Sequence, residues 1–209
     1  MIGLAVWTAV ASAAPTTYSL KPADSALFVV VFNDQTTVAS GLGHDHAISP
    51  RTFDGSVTWD PEDLSACKVQ ISFPVSELFP DLPGFRELAG LDPDGAVNDN
   101  QKEQIKKNFL KSSQLNGPKF PTIRYASTHC APSKQAGRVN VTGQLTIRGT
   151  ALTVTVPMKI QASGASFAAQ GSFEALHSDF GFKPFTNLLG ALRNEDRMKF
   201  VIDVKGSAG

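Results

Sequence analysis

The stretch Val139–Ile160, VNVTGQLTIRGTALTVTVPMKI, decides the fold. Val139, Val141, Leu145 and Ile147 alternate with Asn140, Thr142, Gln144, Thr146 and Arg148. Leu152, Val154, Val156, Met158 and Ile160 then alternate with Thr153, Thr155 and Lys159. Period-two patterning in two arms around a pair that begins with glycine, Gly149-Thr150, predicts a β-hairpin. Folding there sets Ile147 opposite Leu152, Leu145 opposite Val154 and Val141 opposite Met158, so each pair shares one apolar face. Pro157 cannot donate to a ladder, so the sheet is expected to falter beside it.

The alternation continues on both sides of the hairpin. Phe53, Val57 and Trp59 form one phase of a strand that Asp60-Pro61 ends, and Val69, Ile71, Phe73 and Val75 form another. Further strands are read at Tyr18 to Leu20, Thr122 to Thr128, Ser166 to Leu176 with Phe173 in phase, and Met198 to Lys205. The run ALFVVVF is apolar on both phases, which predicts cover on both faces; Phe28, Val30 and Phe32 are assigned to the inner one. Thr36 to Ser40 is read as extended. About nine strands, one helix and no repeated βαβ unit give an all-β barrel or sandwich, and closure is favoured because it removes exposed edges.

One segment departs from the sheet pattern. Between Glu77 and Pro118, proline and glycine break the chain as far as Val97, after which Asn98 to Lys111 reads as a helix. Ile105 and Phe109 sit at i, i+4, and lysines crowd the C-terminal end. A connection of this length is either functional or a plug over one end of the barrel.

With 209 residues, one domain with a sizeable core is expected, spanning 15–209. Nineteen basic and nineteen acidic residues cancel, so no global field draws nucleic acid. Fourteen Phe against two Tyr suit an apolar interior or a lipid-like ligand. Residues 1–14 read as a secretory leader or its remnant: Ile2 to Val10 is apolar and Ala11-Ser12-Ala13 has the small residues of a cleavage site. The stretch is too short to span a bilayer and no later segment is long enough, so no transmembrane anchor is expected. Export permits a disulfide between Cys67 and Cys130, both at strand ends. Cys67 is in phase with Val69 and Ile71, whereas Cys130 is out of phase with Ile123 and Tyr125, so a bridge needs a bulge near His129. Two buried free thiols fit the same pattern.

His44 and His46, in Gly43-His44-Asp45-His46, are the densest cluster of candidate ligands. At i, i+2 on an extended segment they point the same way, and zinc would need a further ligand from His129, His177 or Asp179. Holding a rim loop or touching a ligand headgroup are the other roles open to them. Arg148 is read as a solvated turn residue or a headgroup contact. G-x-S-x-G, H-E-x-x-H, C-x-x-C and the phosphate and dinucleotide fingerprints are absent, so no catalytic residue and no cofactor are assigned.

The segments KFPTIRYAST and VTGQLTIRG, with SDFGF further on, resemble the YceI-like family of polyisoprenoid-binding proteins, over roughly Thr17 to Gly206. The resemblance implies an extended, lipocalin-like antiparallel barrel of about eight strands, with the helical excursion near 98–112. It also implies a periplasmic or secreted binding protein, without enzymatic activity, that holds a polyisoprenoid or other long-chain amphiphile for transport, storage or protection. The apolar wall would then comprise Phe28, Val30, Phe32, Phe53, Val57, Trp59, Ile71, Phe73, Val141, Leu145, Ile147, Val154, Val156, Met158 and Phe173. His44, His46 and Arg148 would stand at the rim. Two histidines in GLGHDHAI, and His177-Ser178 before the aspartate, depart from the commoner family pattern at the pocket mouth. A zinc-dependent or other hydrolase built on His44 and His46, and a filled-barrel interaction module, are the competing readings. Monomer and homodimer both remain open.

Overall fold

Alternating side chains build one continuous antiparallel sheet that closes on itself. The computed structural model describes residues 14–95 and 97–209. Its strands are β1 (Thr16–Leu20), β2 (Ala26–Asn33), β3 (His46–Pro50), β4 (Asp54–Trp59), β5 (Lys68–Pro74), β6 (Leu78–Pro80) and β7 (Thr122–Pro132). They continue with β8 (Val139–Ile147), β9 (Thr150–Ser163), β10 (Ser166–Leu176), β11 (Thr186–Asn187) and β12 (Leu192–Ala208). Two helices, α1 (Phe85–Leu88) and α2 (Asp99–Leu110), lie between β6 and β7. Most of the leader expected over residues 1–14 lies outside the described residues.

Eight strands, in the order β1-β4-β5-β7-β8-β9-β10-β12, form the barrel, and β12 closes it onto β1 through Leu20↔Gly206 and Tyr18↔Ala208. β2, β3 and β6 lengthen it. β12 pairs first with β2, from Asn194↔Asn33 to Asp203↔Ala26, and then with β1. Thus β1 and β2 are one long stave broken by the turn Pro22–Asp24. β3 pairs with β2 as β4 pairs with β1, and β6 pairs with β3 as β5 pairs with β4. Three broken staves therefore carry the wall past the length that the eight strands alone would give. α2 packs on β6 and covers this extended end, while α1 packs on β3.

The hairpin turns one residue earlier than its glycine suggests. Arg148 (φ 52°) and Gly149 (φ 78°) are the loop, both in the left-handed region that a two-residue hairpin turn of matching twist requires. Leu145 therefore faces Leu152, Val141 faces Val156 and Ile147 faces Thr150, which corrects the expected pairing by two residues. An even shift preserves the inward face. The β9–β10 ladder runs from Ser163↔Ser166 only to Lys159↔Gln170, two residues short of Pro157. Beyond it, β10 continues along β12, and the turn Ser178–Phe180, with Phe180 wholly buried, packs against both β9 and β10.

Two further corrections concern β2 and the loop after it. On β2 the inner face is Leu27, Val29 and Val31, in register with Ile202, Phe200 and Met198. Val30 and Phe32 therefore do not belong to the inner wall; with Phe28 they join a second core outside the barrel, against Ala47, Phe85 and Ala89. Cover on both faces, as the unbroken apolar run required, is what the fold supplies. Thr36 to Ser40 is not extended, because the Asp34 carboxylate accepts the N–H and hydroxyl of Thr36 and folds the chain into turns.

Cys67 and Cys130 are joined by a disulfide with an S–S distance of 2.05 Å. The β7–β8 register shifts between Ser127 and His129, and this bulge turns Cys130 to the inner face, where Cys67 and Val69 lie.

Candidate functional site

Inside the barrel lies a cavity of about 510 Å³, bounded almost wholly by hydrocarbon. Its floor, toward the β12–β1 closure, is Trp59, Cys67, Val69, Phe167 and Val204. Phe173 and Phe200 stack in its wall with ring centroids 4.7 Å apart. Of the residues expected there, Val57, Trp59, Ile71, Phe73, Val141, Leu145, Ile147, Val156, Met158 and Phe173 border the cavity, whereas Phe28 touches its edge from β2 but belongs to the outer core with Val30. Phe53 and Val154 are buried without bordering it. Phe53 sits at the break between β3 and β4. Val154 pairs with Gly143, and Tyr125 packs over that glycine, so Tyr125 borders the cavity instead. A Cβ on Gly143 would stand 2.5 Å from Tyr125 Oη. Desolvation pushes the Tyr125 phenol up to about 12, so it stays neutral.

Polar groups gather at the opposite, extended end. Asn33 and Asn194 face each other across β2 and β12, His44 and His46 flank them, and α2 presents Gln101, Gln104 and Asn108 beside Ile105 and Phe109. Positions 101, 104, 105 and 108 share one helical face, a spacing visible in the sequence once the apolar pair is extended to its polar neighbours. An Asn98–Gln101 capping box fixes where that helix begins. The excursion is therefore a cover whose underside is half polar.

His46 is held from behind. Its Nδ1 lies 2.7 Å from Asp81 Oδ2, while Asp81 Oδ1 accepts the Ala47 N–H at 3.0 Å and lies 3.4 Å from Arg86 Nη1. Arg86 also donates to the carbonyls of Asp45 and Asp92. Burial alone would raise the Asp81 carboxyl. The hydrogen bond and charge of His46, the Ala47 amide and Arg86 together hold it below the ordinary carboxylate range. No sequence signal singled out Asp81 or Arg86, because the contacts that tie them to the His44–His46 segment, Asp81 to His46 and Arg86 to Asp45, span 35 and 41 positions.

His177, a candidate third zinc ligand, also borders the cavity, but its Nδ1 donates to Asp196 O at 2.9 Å. Asp179 accepts the Leu176 N–H of its own turn, and His129 lies on β7 beside the bulge. Among the described residues no three His, Cys, Asp or Glu side chains converge. Arg148 is not at the cavity. Its guanidinium donates to Gly181 O at 2.8 Å and Ser112 O at 3.1 Å, so it is the expected turn residue, but one that ties the hairpin to two loops.

The arrangement offers enclosure and orientation: an apolar tube, a polar end and a helix across that end. Residues 18–205 match the family model described as the YceI-like domain. Protein YceI of Salmonella arizonae is 27% identical over 165 residues, covering 75% of this chain and 71% of that protein, and the Salmonella newport protein gives the same figures. Among solved structures, Burkholderia cenocepacia BcnA superposes with a TM-score of 0.64 at 20% identity, over 89% of this chain and 98% of that one. The Campylobacter jejuni YCEI protein gives 0.57 at 12% identity, over 78% and 84%. Both likenesses are of fold. The matched span, with the closed eight-stranded barrel, places this chain in the YceI-like family.

Proposed function

We propose that this protein is a binding protein for a long-chain amphiphile, a polyisoprenoid or similar lipid, with the alkyl part in the barrel and the polar end under α2. The observation that carries this reading is the hydrocarbon-lined cavity whose polar groups, the Tyr125 phenol apart, gather at one end. Each CH₂ moved from water into such a tube contributes about 0.8 kcal/mol, so a chain of a dozen carbons is drawn in without any catalytic group. Association entropy and headgroup desolvation reduce that gain and favour a class of ligand over a single compound.

Export to the periplasm or beyond belongs to the same reading. It is supported by the small residues at Ala11 to Ala13 and by the Cys67–Cys130 bridge, which suits an oxidising compartment. No helix among the described residues is long and apolar enough to cross a membrane.

Native mass spectrometry and solvent extraction of the purified protein test the proposal. A stoichiometric co-purifying lipid is expected. Delipidated protein that takes up no long-chain probe at micromolar concentration would overturn it.

A further inference from the structure

Two loops meet at the polar end of the cavity and turn apolar side chains away from the protein. The loop after β2, residues 34–43, exposes Val38 (98%) and Leu42 (68%). The loop between β11 and β12 exposes Leu188 (53%) and Leu189 (109%). They form one platform: Ala39 N–H donates to Ala191 O at 2.8 Å, Asp34 N–H donates to Arg193 O at 2.9 Å, and Arg193 Nε donates to the Asp34 carboxylate at 3.0 Å.

From these observations we infer that the platform is a membrane-docking face, which seats the barrel mouth on a lipid leaflet so that a chain passes between bilayer and cavity without crossing water. This rests on the carrier reading above. Three features select a bilayer as the occupant. First, the apolar surface is continuous with the cavity: Leu42 is exposed and also lines it, as does Leu192 at the foot of the second loop. A protein seated there would cover the mouth through which the ligand exchanges, whereas a leaflet both covers it and supplies the ligand. Second, Leu188 (φ 49°) and Leu189 (φ 55°) hold left-handed conformations that disfavour L-residues with a side chain, yet direct both leucines outward and bury neither. Third, Asp34 is the one charged residue within 34–43 and 184–192, and Arg193 neutralises it, so the face desolvates cheaply. Lys111 and Lys183, both exposed, line a surface hollow with Pro184, Phe185 and Thr186 leading into the second loop, where they offer cations to anionic headgroups.

The test uses the full chain carrying Val38→Ser, Leu188→Ser and Leu189→Ser together, none of which lines the cavity. Flotation with phosphatidylethanolamine vesicles containing phosphatidylglycerol should show wild-type protein rising with the lipid and the variant bound about tenfold less or weaker still. Transfer of a fluorescent long-chain probe from those vesicles should slow by a similar factor, while equilibrium affinity for the free probe stays unchanged. Wild-type protein that remains with the soluble fraction, or a variant that transfers probe at the wild-type rate, would overturn the inference. So would a concentration-dependent dimer that the three substitutions abolish, which would assign the face to a second copy. Vesicle binding without uptake of free probe would uphold the docking face and refute the carrier reading, so the two failures are distinguishable.

Discussion

At the residue scale, two buried titratable groups at the cavity end make stability depend on pH in two separate windows. Burial pushes the His177 imidazole below its ordinary value near 6.5, against the opposing pull of the Asp196 and Glu195 backbone and the Asp196 charge. The unfolded chain therefore accepts a proton that the folded protein resists. Stability from the neutral ring is complete above about pH 6.5 and is lost as pH falls toward the lower folded value. Asp81 is lowered as well, so its contribution is complete above about 3.8 and disappears only below that. Urea midpoints measured across acid pH should fall in both windows, and His177→Asn should flatten the upper decline while leaving the lower. A variant with the wild-type slope just below pH 6.5 would assign that slope elsewhere. Sequence alone could draw attention to His44 and His46 because they are two apart, and both do border the cavity. His177 and Asp81 were not legible as a pair of acid-sensitive sites, since what shifts each of them is burial and tertiary neighbours with no local signature.

At the element scale, the staves and their inward phase were readable wherever polar and apolar residues alternate strictly. In β8 and β9 the residue types define the inner face even though the turn was placed one residue late. Arg148 at φ 52° is why: glycine is the usual sign of a left-handed turn position, and here the arginine before it takes the other one. β2 is the converse case. A run apolar on both phases shows that both faces are covered, but gives no parity, so Val30 and Phe32 could not be assigned to the side that α1 covers. The bulge beside His129 was legible because the two cysteines required it. That bridge closes a loop with a sequence separation of 63, which in the chain-entropy model stabilises the fold by roughly 4 kcal/mol. Replacing Cys67 and Cys130 together by serine should therefore lower the unfolding free energy by about that amount in denaturant titrations without altering the far-ultraviolet spectrum at low denaturant. Reductant should reproduce the loss in the wild type and have no effect on the double variant.

At the scale of the whole molecule, the same inward side chains that stabilise the barrel leave space within it. An ordinary core has no such space, and enlarging a side chain there forces neighbours out of their rotamers. Here Val29 sits midway along the tube, level with the stacked Phe173 and Phe200, and faces the 510 Å³ cavity. Val29→Trp should therefore fill existing volume with little change in melting temperature, whereas the same change at Val30, which is 1% exposed in the outer core, should destabilise strongly. Ligand preference should shift with volume. Each CH₂ displaced from the tube costs roughly 0.8 kcal/mol, about fourfold in affinity, so the longest chains lose most and short ones bind almost as before. Displacement of a fluorescent probe by fatty alcohols of increasing length measures this directly. If wild type and Val29→Trp prefer the same chain length, the alkyl part does not lie along the tube, and the polar end alone would have to account for binding.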